Sequence, residues 1–321
     1  MNKIKTWIWH LPLVARIVER SKHTSLIGFE GLPIYTVLEF FFKEIQKEHL
    51  NTKSTSLAFS FFLAIFPATI FLFTLIPYIP VNNFQDQLLN ILAQVLPANA
   101  FEAVQTTLTD IIKNQNGGLL TFGFIAALFF SSNGIMALMR NFNKASLMLD
   151  KRPVWKKRRT AIVLTFVISI MLIIGVSLIV AGNYIISILE QYELFKGAFI
   201  RYSLVALNWI IILLLFLSII STLYYFAPAA AKKFKFISAG SSLATLLSIG
   251  SSSGFAFYVN NFNSYNKIYG SIGTLIVIMI WLYLNSMILL IGFELNASIK
   301  ILKQNLPEPV KKRMGNRLRQ L

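Results

Sequence analysis

The chain has 321 residues, of which 55% are hydrophobic and 13% are charged, and its formal net charge is +17. Its mean hydropathy of +0.63 excludes an ordinary soluble domain and predicts a protein built mainly of membrane-spanning helices. It contains no cysteine, which excludes disulfides, a thiolate nucleophile and a cysteine-based metal site.

Residues 1–54 are predicted to form a cytoplasmic segment with two amphipathic helices. Apolar and basic residues share residues 4–20, and a second such pattern follows Pro33. Charged Arg16 and Glu19 interrupt the first apolar stretch, so it is not predicted to be a cleaved signal peptide. Helices of this kind lie at the interface of the inner leaflet or pack against the membrane bundle.

Six apolar runs follow, each near the ~20 residues that a helix needs to cross a bilayer. They predict an all-α polytopic membrane protein with a six-helix transmembrane domain over residues 55–299 and a basic tail over residues 300–321. The predicted spans are residues 55–79, 119–139, 160–183, 203–226, 237–259 and 269–293.

The basic residues predict the orientation of these spans. Of the 30 Lys and Arg residues, 26 lie in alternate segments, starting with the N-terminal one, and only four lie in the segments between them. The positive-inside rule therefore places both termini in the cytoplasm. Because the bases lie beside span ends, the predicted partners are membrane lipids with anionic headgroups at the cytoplasmic face, and no nucleic acid is expected.

The first outer connector, residues 81–118, carries apolar residues at helical spacing on both sides of Pro97. This pattern predicts an outer amphipathic helical hairpin between spans one and two. The same sequence pattern is expected whether this hairpin is a lid over the bundle or a plain structural cap.

Polar side chains within the spans are the candidates for a transport pathway, because burying them in lipid is costly. In span five, four hydroxyl residues recur at intervals of three and four and share one helix face: Ser241, Thr245, Ser248 and Ser252. This stripe either lines a water-filled or headgroup-accommodating path, or allows the close helix packing that a Gly-x-x-x-Gly pattern in the same span also favours.

In span two, Ser131, Ser132 and Asn133 fall within about one helical turn. An amide at membrane depth is either a contact between helices or a ligand in a pathway. The predicted hinges are Pro67, which removes a backbone hydrogen bond inside span one, and the glycines of span five, Gly250 and Gly254.

Glu294 lies toward the end of the sixth span. It is either half of a structural ion pair, with Arg140, Arg158 or Arg159 as the partner, or a proton-coupling carboxylate.

Neither a catalytic site nor a metal site is predicted. All three histidines, His10, His23 and His49, precede the first span without a partner at ligand spacing, and the acids are scattered among loops. No cofactor is therefore expected.

Several stretches of the chain, over about residues 35 to 300, resemble the YihY/BrkB family of bacterial inner-membrane proteins, historically labelled ribonuclease BN. These stretches are residues 55–67, 131–134, 140–143, 269–273, 281–283 and 292–296, in that order and spacing. The resemblance implies a six-helix inner-membrane protein for which transport or envelope roles are proposed, and Asn296, at the end of the last stretch, joins the candidate residues. The lack of clustered acids and histidines argues against the ribonuclease label.

The leading prediction is therefore a non-enzymatic, secondary or passive transporter or translocator of a lipid or small amphipathic solute, with span five at its centre. The alternative is a non-transporting envelope scaffold that binds anionic lipid or partner proteins. A homo-oligomer is compatible with either function.

Overall fold

The computed structural model describes residues 12–26, 28–47, 49–78, 109–145, 150–189, 198–229, 235–261 and 264–305, together with five positions between 85 and 106. Helices account for nearly all of these residues, and the all-helical prediction is confirmed. The helices are α1 (Pro12–His23), α2 (Ile34–Lys47), α3 (Leu50–Leu75), α4 (Gly117–Ala145), α5 (Val154–Leu189), α6 (Ala198–Phe226), α7 (Ala239–Asn261) and α8 (Ser264–Asn305). A short 3₁₀ turn, Ile76–Tyr78, follows α3.

Five segments in the described ranges are long and apolar enough to cross a membrane, which confirms a multi-pass membrane protein. They are Leu50–Tyr78, Gly117–Ala145, Val154–Gly182, Val205–Phe226 and Leu275–Asn305. The predicted fifth span corresponds to α7, which has 23 residues and is not among the five, because serines, glycines and asparagines lower its hydropathy. The count of six spans and the side of each terminus stay predictions.

The helices α3 to α8 form a closed ring. Each helix contacts the next one along the chain, and α8 closes the ring against α3. In the first pair, Gly123 of α4 lies against Phe71 of α3, and Gly134 lies against Phe61, so these two helices are antiparallel. Sequence neighbours are therefore neighbours in space, and α8 alone brings the two ends of the series together.

The ring is tightly packed at one end, where α3, α5 and α7 begin and where α4, α6 and α8 end. We call it the basic end, because the Lys and Arg residues at these helix termini lie there. Its core joins side chains from all six helices, including Leu57, Leu138, Phe142, Leu164, Tyr224, Ala244 and Phe293.

Toward the opposite end, which we call the far end, α5 and α6 bury few of their side chains among the described residues. In α5, Ile173, Ile174 and Val176 point in three directions around the helix and are 66%, 55% and 55% exposed. In α6, Leu207 and Ile210 are likewise more than half exposed. The remaining direction packs on α6, because Gly175 is buried against Leu215 and Gly182 lies against Asn208, so α5 and α6 contact each other here and expose their other faces.

The segment before the ring packs against α8. Val37 and Phe41 of α2 are buried against Leu295 and Ile299, and α2 thus packs on the bundle, one of the two arrangements that the sequence left open. The residues before Pro12, the tail from residue 306 onward and most of the predicted outer hairpin lie outside the described residues.

Candidate functional site at the basic end

The helices α7 and α8 cross with their backbones in direct contact. A Cβ atom added to Gly240 would overlap the carbonyl oxygen of Gly292, and one added to Gly292 would lie 2.6 Å from the Cβ of Ala244 and 2.7 Å from the carbonyl oxygen of Gly240. Cβ atoms do not come this close to other atoms, so both positions require glycine. Small residues allow this close approach of membrane helices.

Asn296 of α8 holds the first turn of α7. Its side-chain oxygen accepts a hydrogen bond from the Gly240 N–H at 2.8 Å, and its side-chain nitrogen donates to the Ser238 hydroxyl at 2.8 Å. Ser238 and Ser241 cap the helix reciprocally, since the backbone N–H of each donates to the hydroxyl of the other. Both polar groups of the candidate Asn296 side chain therefore anchor the start of α7 to α8.

Three aromatic rings close the basic end at its centre. Phe142 of α4 and Phe293 of α8 stack with ring centroids 3.9 Å apart, and Tyr224 of α6 meets both of them edge-on. The Tyr224 hydroxyl donates a hydrogen bond to the Leu289 carbonyl oxygen at 2.7 Å. All three rings are buried, so the ring of helices is shut at this level.

The hydroxyl stripe of α7 starts inside this closed end. Ser241, Thr245 and Ser248 are buried, whereas Leu246 on the opposite face is 62% exposed. Ser252 lies at the edge of the packed region, where it accepts a hydrogen bond from the Trp281 indole at 3.4 Å. The stripe faces protein at its first three positions, and α7 presents its other face outward.

The two predicted hinge glycines of α7 lie in open space. A Cβ atom added to Gly250 or Gly254 would meet nothing within 4 Å, so their Gly-x-x-x-Gly pattern is not a helix contact. Sequence analysis missed the contact that does occur, between Gly240 and Gly292. The available signal was the pair of small residues Gly240 and Ala244, four positions apart. The third hinge candidate, Pro67, lies within the continuous helix α3.

Asn133 forms a contact between α4 and α5. Its side-chain oxygen accepts a hydrogen bond from the guanidinium group of Arg158, which also lies 4.6 Å from the centroid of the Phe129 ring. The neighbouring Ser132 hydroxyl is buried and donates to the Phe129 carbonyl oxygen at 3.0 Å, and Ser131 is half-buried. The Asn133 side chain, a candidate from the sequence analysis, therefore binds Arg158 of the neighbouring helix.

Glu294 is 3% exposed and faces charged side chains of two other helices. Lys53 of α3 attracts its carboxylate electrostatically, and Glu44 of α2 repels it. Lys144 repels Lys53 electrostatically. The three arginines that the sequence suggested as partners form no ion pair with Glu294 among the described residues.

An acid that the sequence analysis passed over, Asp150, joins the α4–α5 connector to the end of α6. It accepts hydrogen bonds from Arg152 at 2.9 and 3.0 Å and from the Asn143 amide at 2.9 Å. The Asn143 oxygen in turn accepts from the Ala229 N–H at 2.7 Å, and Arg152 donates to the Ala227 carbonyl oxygen at 3.1 Å. The signal in the sequence that could have identified this site was one acidic residue, Asp150, next to a run of basic residues.

The pKa of Asp150 reflects two opposing effects. Burial raises it, but the hydrogen bonds and positive charge of Arg152, with the charge of Lys157, outweigh burial and hold the pKa below its usual value. Asp150 is therefore a carboxylate at neutral pH.

Two grooves flank α8 on the way to the far end. The groove between α7 and α8 has a volume of about 490 Å³, and the groove between α3 and α8 has a volume of about 350 Å³. Both fall in the ~300–1,000 Å³ range of small-molecule sites. The first is lined by Ser251, Gly254, Phe255, Tyr258, Val277, Ile280 and Leu284, and the second by Thr55, Ala58, Leu275, Ile276, Met279, Ile280 and Tyr283. These linings suit an apolar chain rather than a hydrated ion.

The family model for the virulence factor BrkB matches residues 41–315. The chain belongs to the BrkB family. It is 36% identical over 247 residues to a protein of Bacillus subtilis (strain 168) named as ribonuclease-like protein YfkH, which covers 77% of this chain and 89% of that protein. It is 29% identical over 270 residues to a UPF0761 membrane protein of Vibrio campbellii, and 30% identical over 271 residues to one of Vibrio parahaemolyticus. Each alignment covers 81% of both chains.

No solved structure matches the chain. The predicted family is confirmed, and the relatives are named either as membrane proteins or, in one case, as ribonuclease-like. Among the described residues, no group of three or more His, Asp or Glu side chains could hold a metal ion.

Proposed function

We propose that the protein is a secondary or passive transporter or translocator that moves a lipid or a small amphipathic solute across the bacterial plasma membrane. The observation that carries the proposal is the difference between the two ends of the ring. Buried aromatic side chains close the basic end, while α5 and α6 expose most of their large apolar side chains toward the far end. A bundle packed more closely at one end than at the other is consistent with one state of an alternating-access cycle.

The grooves beside α8 support the class of solute. Their linings are mainly aliphatic and aromatic, with hydroxyl groups from Ser251, Tyr258 and Tyr283. An amphipathic molecule presents an apolar chain and a polar head, and so fits both kinds of lining. By the positive-inside rule, we expect the basic end to face the cytoplasm and the far end to face the outside.

Flux in liposomes tests the proposal. The purified protein is reconstituted with a trace of fluorescent phospholipid, and an impermeant reductant is added to bleach the label that it can reach. We expect protein-free vesicles to lose only the outer-leaflet label, and proteoliposomes to lose inner-leaflet label as well. The same vesicles serve for uptake of amphipathic solutes.

Ile280 lines both grooves, so Ile280→Trp is the blocking variant and should slow the flux. Ile173→Trp, at an exposed position of α5, is the matched control and should not. If neither a phospholipid nor an amphipathic solute crosses faster than in empty vesicles, transport is wrong and the scaffold function takes its place. A flux that Ile280→Trp leaves unchanged would instead exclude the grooves as the path.

A further inference from the structure

The basic residues around the start of α5 fall into two groups. Residues 151–159 contain six Lys and Arg residues. Three of them bind within the protein: Arg152 and Lys157 pair with Asp150, and Arg158 binds Asn133. These interactions account for half of the positive charge in this turn and its connector.

The other three bases point outward beside an exposed tryptophan. Lys151, Lys156 and Arg159 are exposed and form no ion pair with the residues that the structure describes. The Lys156 ammonium lies 5.5 Å and the Arg159 guanidinium 6.0 Å from the centroid of the Trp155 ring. A cation within about 6 Å of an aromatic face is held there by the ring quadrupole. Trp155 thus organises two of the three free cations around itself.

Apolar surface accompanies these charges. Trp155 is 60% exposed and Val154 is 72% exposed, and both stand at the start of the apolar helix Val154–Gly182. Exposed apolar side chains beside free cations match the region where phosphates meet acyl chains, and tryptophan favours this depth. A soluble anion would use the cations and leave Val154 and Trp155 in water, so the chemistry favours a lipid.

We propose that Lys151, Trp155, Lys156 and Arg159 form a binding site for the headgroup of an anionic phospholipid in the leaflet at the basic end. The three cations contact the phosphate and the further negative charge of the headgroup, and Trp155 and Val154 lie among the upper parts of the acyl chains. The site does not depend on transport, because it lies outside the ring.

Thermal stabilisation of the full-length protein tests the site. The protein is purified in neutral detergent, and its unfolding temperature is followed during titration with phosphatidylglycerol or with phosphatidylcholine. We expect phosphatidylglycerol to stabilise at lower concentration than phosphatidylcholine. Lys156→Gln/Arg159→Gln should weaken the phosphatidylglycerol affinity by about tenfold or more, since each base near the surface contributes appreciably to binding anionic lipid.

The matched control is Lys43→Gln/Lys47→Gln on α2, which removes two exposed cations that are paired with Glu39 and Glu44. It changes the net charge by the same amount and should leave the affinity unchanged. Lys156→Arg/Arg159→Lys should also bind normally, because it keeps the charge and shows that the position tolerates substitution.

Two results would overturn the proposal. An equal loss in the α2 control would show that only the overall charge matters. An equal stabilisation by soluble glycerol phosphate would show a site for free phosphate instead of a lipid. Should Lys156→Gln/Arg159→Gln fail to fold, native mass spectrometry of Lys156→Gln and Trp155→Ala decides: retained phosphatidylglycerol in both would refute the site.

Discussion

Two carboxylates at the basic end, the partly buried Asp150 and the buried Glu294, differ in what surrounds them. Asp150 receives hydrogen bonds from Arg152 and Asn143, whereas Glu294 is balanced by the charge of Lys53 with Glu44 nearby. A buried charge is costly unless hydrogen bonds or an opposite charge compensate it. Asp150 therefore joins the α4–α5 connector to α6, whereas Lys53 is the described cation that attracts Glu294.

The joint at Asp150 predicts a pH dependence. The native pKa lies below the unfolded value of about 3.9, so the unfolded chain takes up the proton first as the pH falls. The stabilisation is complete above about pH 4 and is lost as the pH falls toward the native pKa. Asp150→Asn should lower the unfolding temperature at pH 7 and flatten its fall between about pH 5 and pH 3. An unchanged acid profile in this variant would contradict the assignment.

Lys53 and Glu294 predict a coupled pair of substitutions. Lys53→Met removes the cation that attracts the buried Glu294 carboxyl group and should destabilise the protein, because this attraction is lost. Adding Glu294→Gln should restore much of this loss, because the uncompensated charge is gone. Denaturant unfolding of the two single variants and the double variant measures the coupling. Additive effects would show that the two groups do not interact.

Among the elements, α7 approaches α8 most closely at its start. The crossing of Gly240 and Gly292 and the bonds of Asn296 hold its first turn to α8, while Gly250 and Gly254 contact no neighbouring side chain. Movement of α7 relative to α8 would therefore pivot about the basic end.

Alanine substitutions distinguish the two pairs of glycines. Gly240→Ala and Gly292→Ala should each destabilise by about 3 kcal/mol or more, because the new methyl group overlaps backbone atoms that cannot move aside. Gly250→Ala and Gly254→Ala should be neutral or stabilise by roughly 0.5–1 kcal/mol, through better helix propensity. Unfolding temperatures in detergent measure all four. A Gly254→Ala variant as unstable as Gly292→Ala would contradict the open space around α7.

The helices themselves were predictable from the sequence, and their contacts were not. Apolar runs of the right length placed the six long helices, because crossing a membrane requires such runs. The partner of Glu294 was not predictable, since α2 and Lys53 approach it from residues about 240 positions earlier. The role of Asn296 was hidden for a similar reason: its two hydrogen bonds go to another helix.

At the scale of the molecule, the described helices are packed closely at the basic end and less closely toward the far end. This asymmetry could not be predicted from the sequence. It depends on three aromatic side chains that lie far apart in the chain and meet in the structure, Phe142, Tyr224 and Phe293.

The asymmetry predicts a pattern of water access. Because the chain has no cysteine, single cysteines can be introduced and labelled with a membrane-impermeant thiol reagent. Gly254→Cys, in the groove toward the far end, should label from that side, and Thr245→Cys, buried in the closed end, should not. Leu246→Cys, on the outer face of α7, is the lipid-facing control. Labelling of Thr245→Cys as fast as Gly254→Cys would mean that the basic end is not sealed.

The order of the ring also bears on how the protein is made. Each of α4 to α7 finds its predecessor already inserted when it leaves the ribosome, so its contacts form locally and early. Among the described helices, α8 contacts both α2 and α3, which precede it by the largest separation in the chain. The last helix to be synthesised is therefore the one that completes the structure, and a chain that ends before α8 leaves α2, α3 and α7 without their common partner. Such a chain should be recognised and degraded as unassembled.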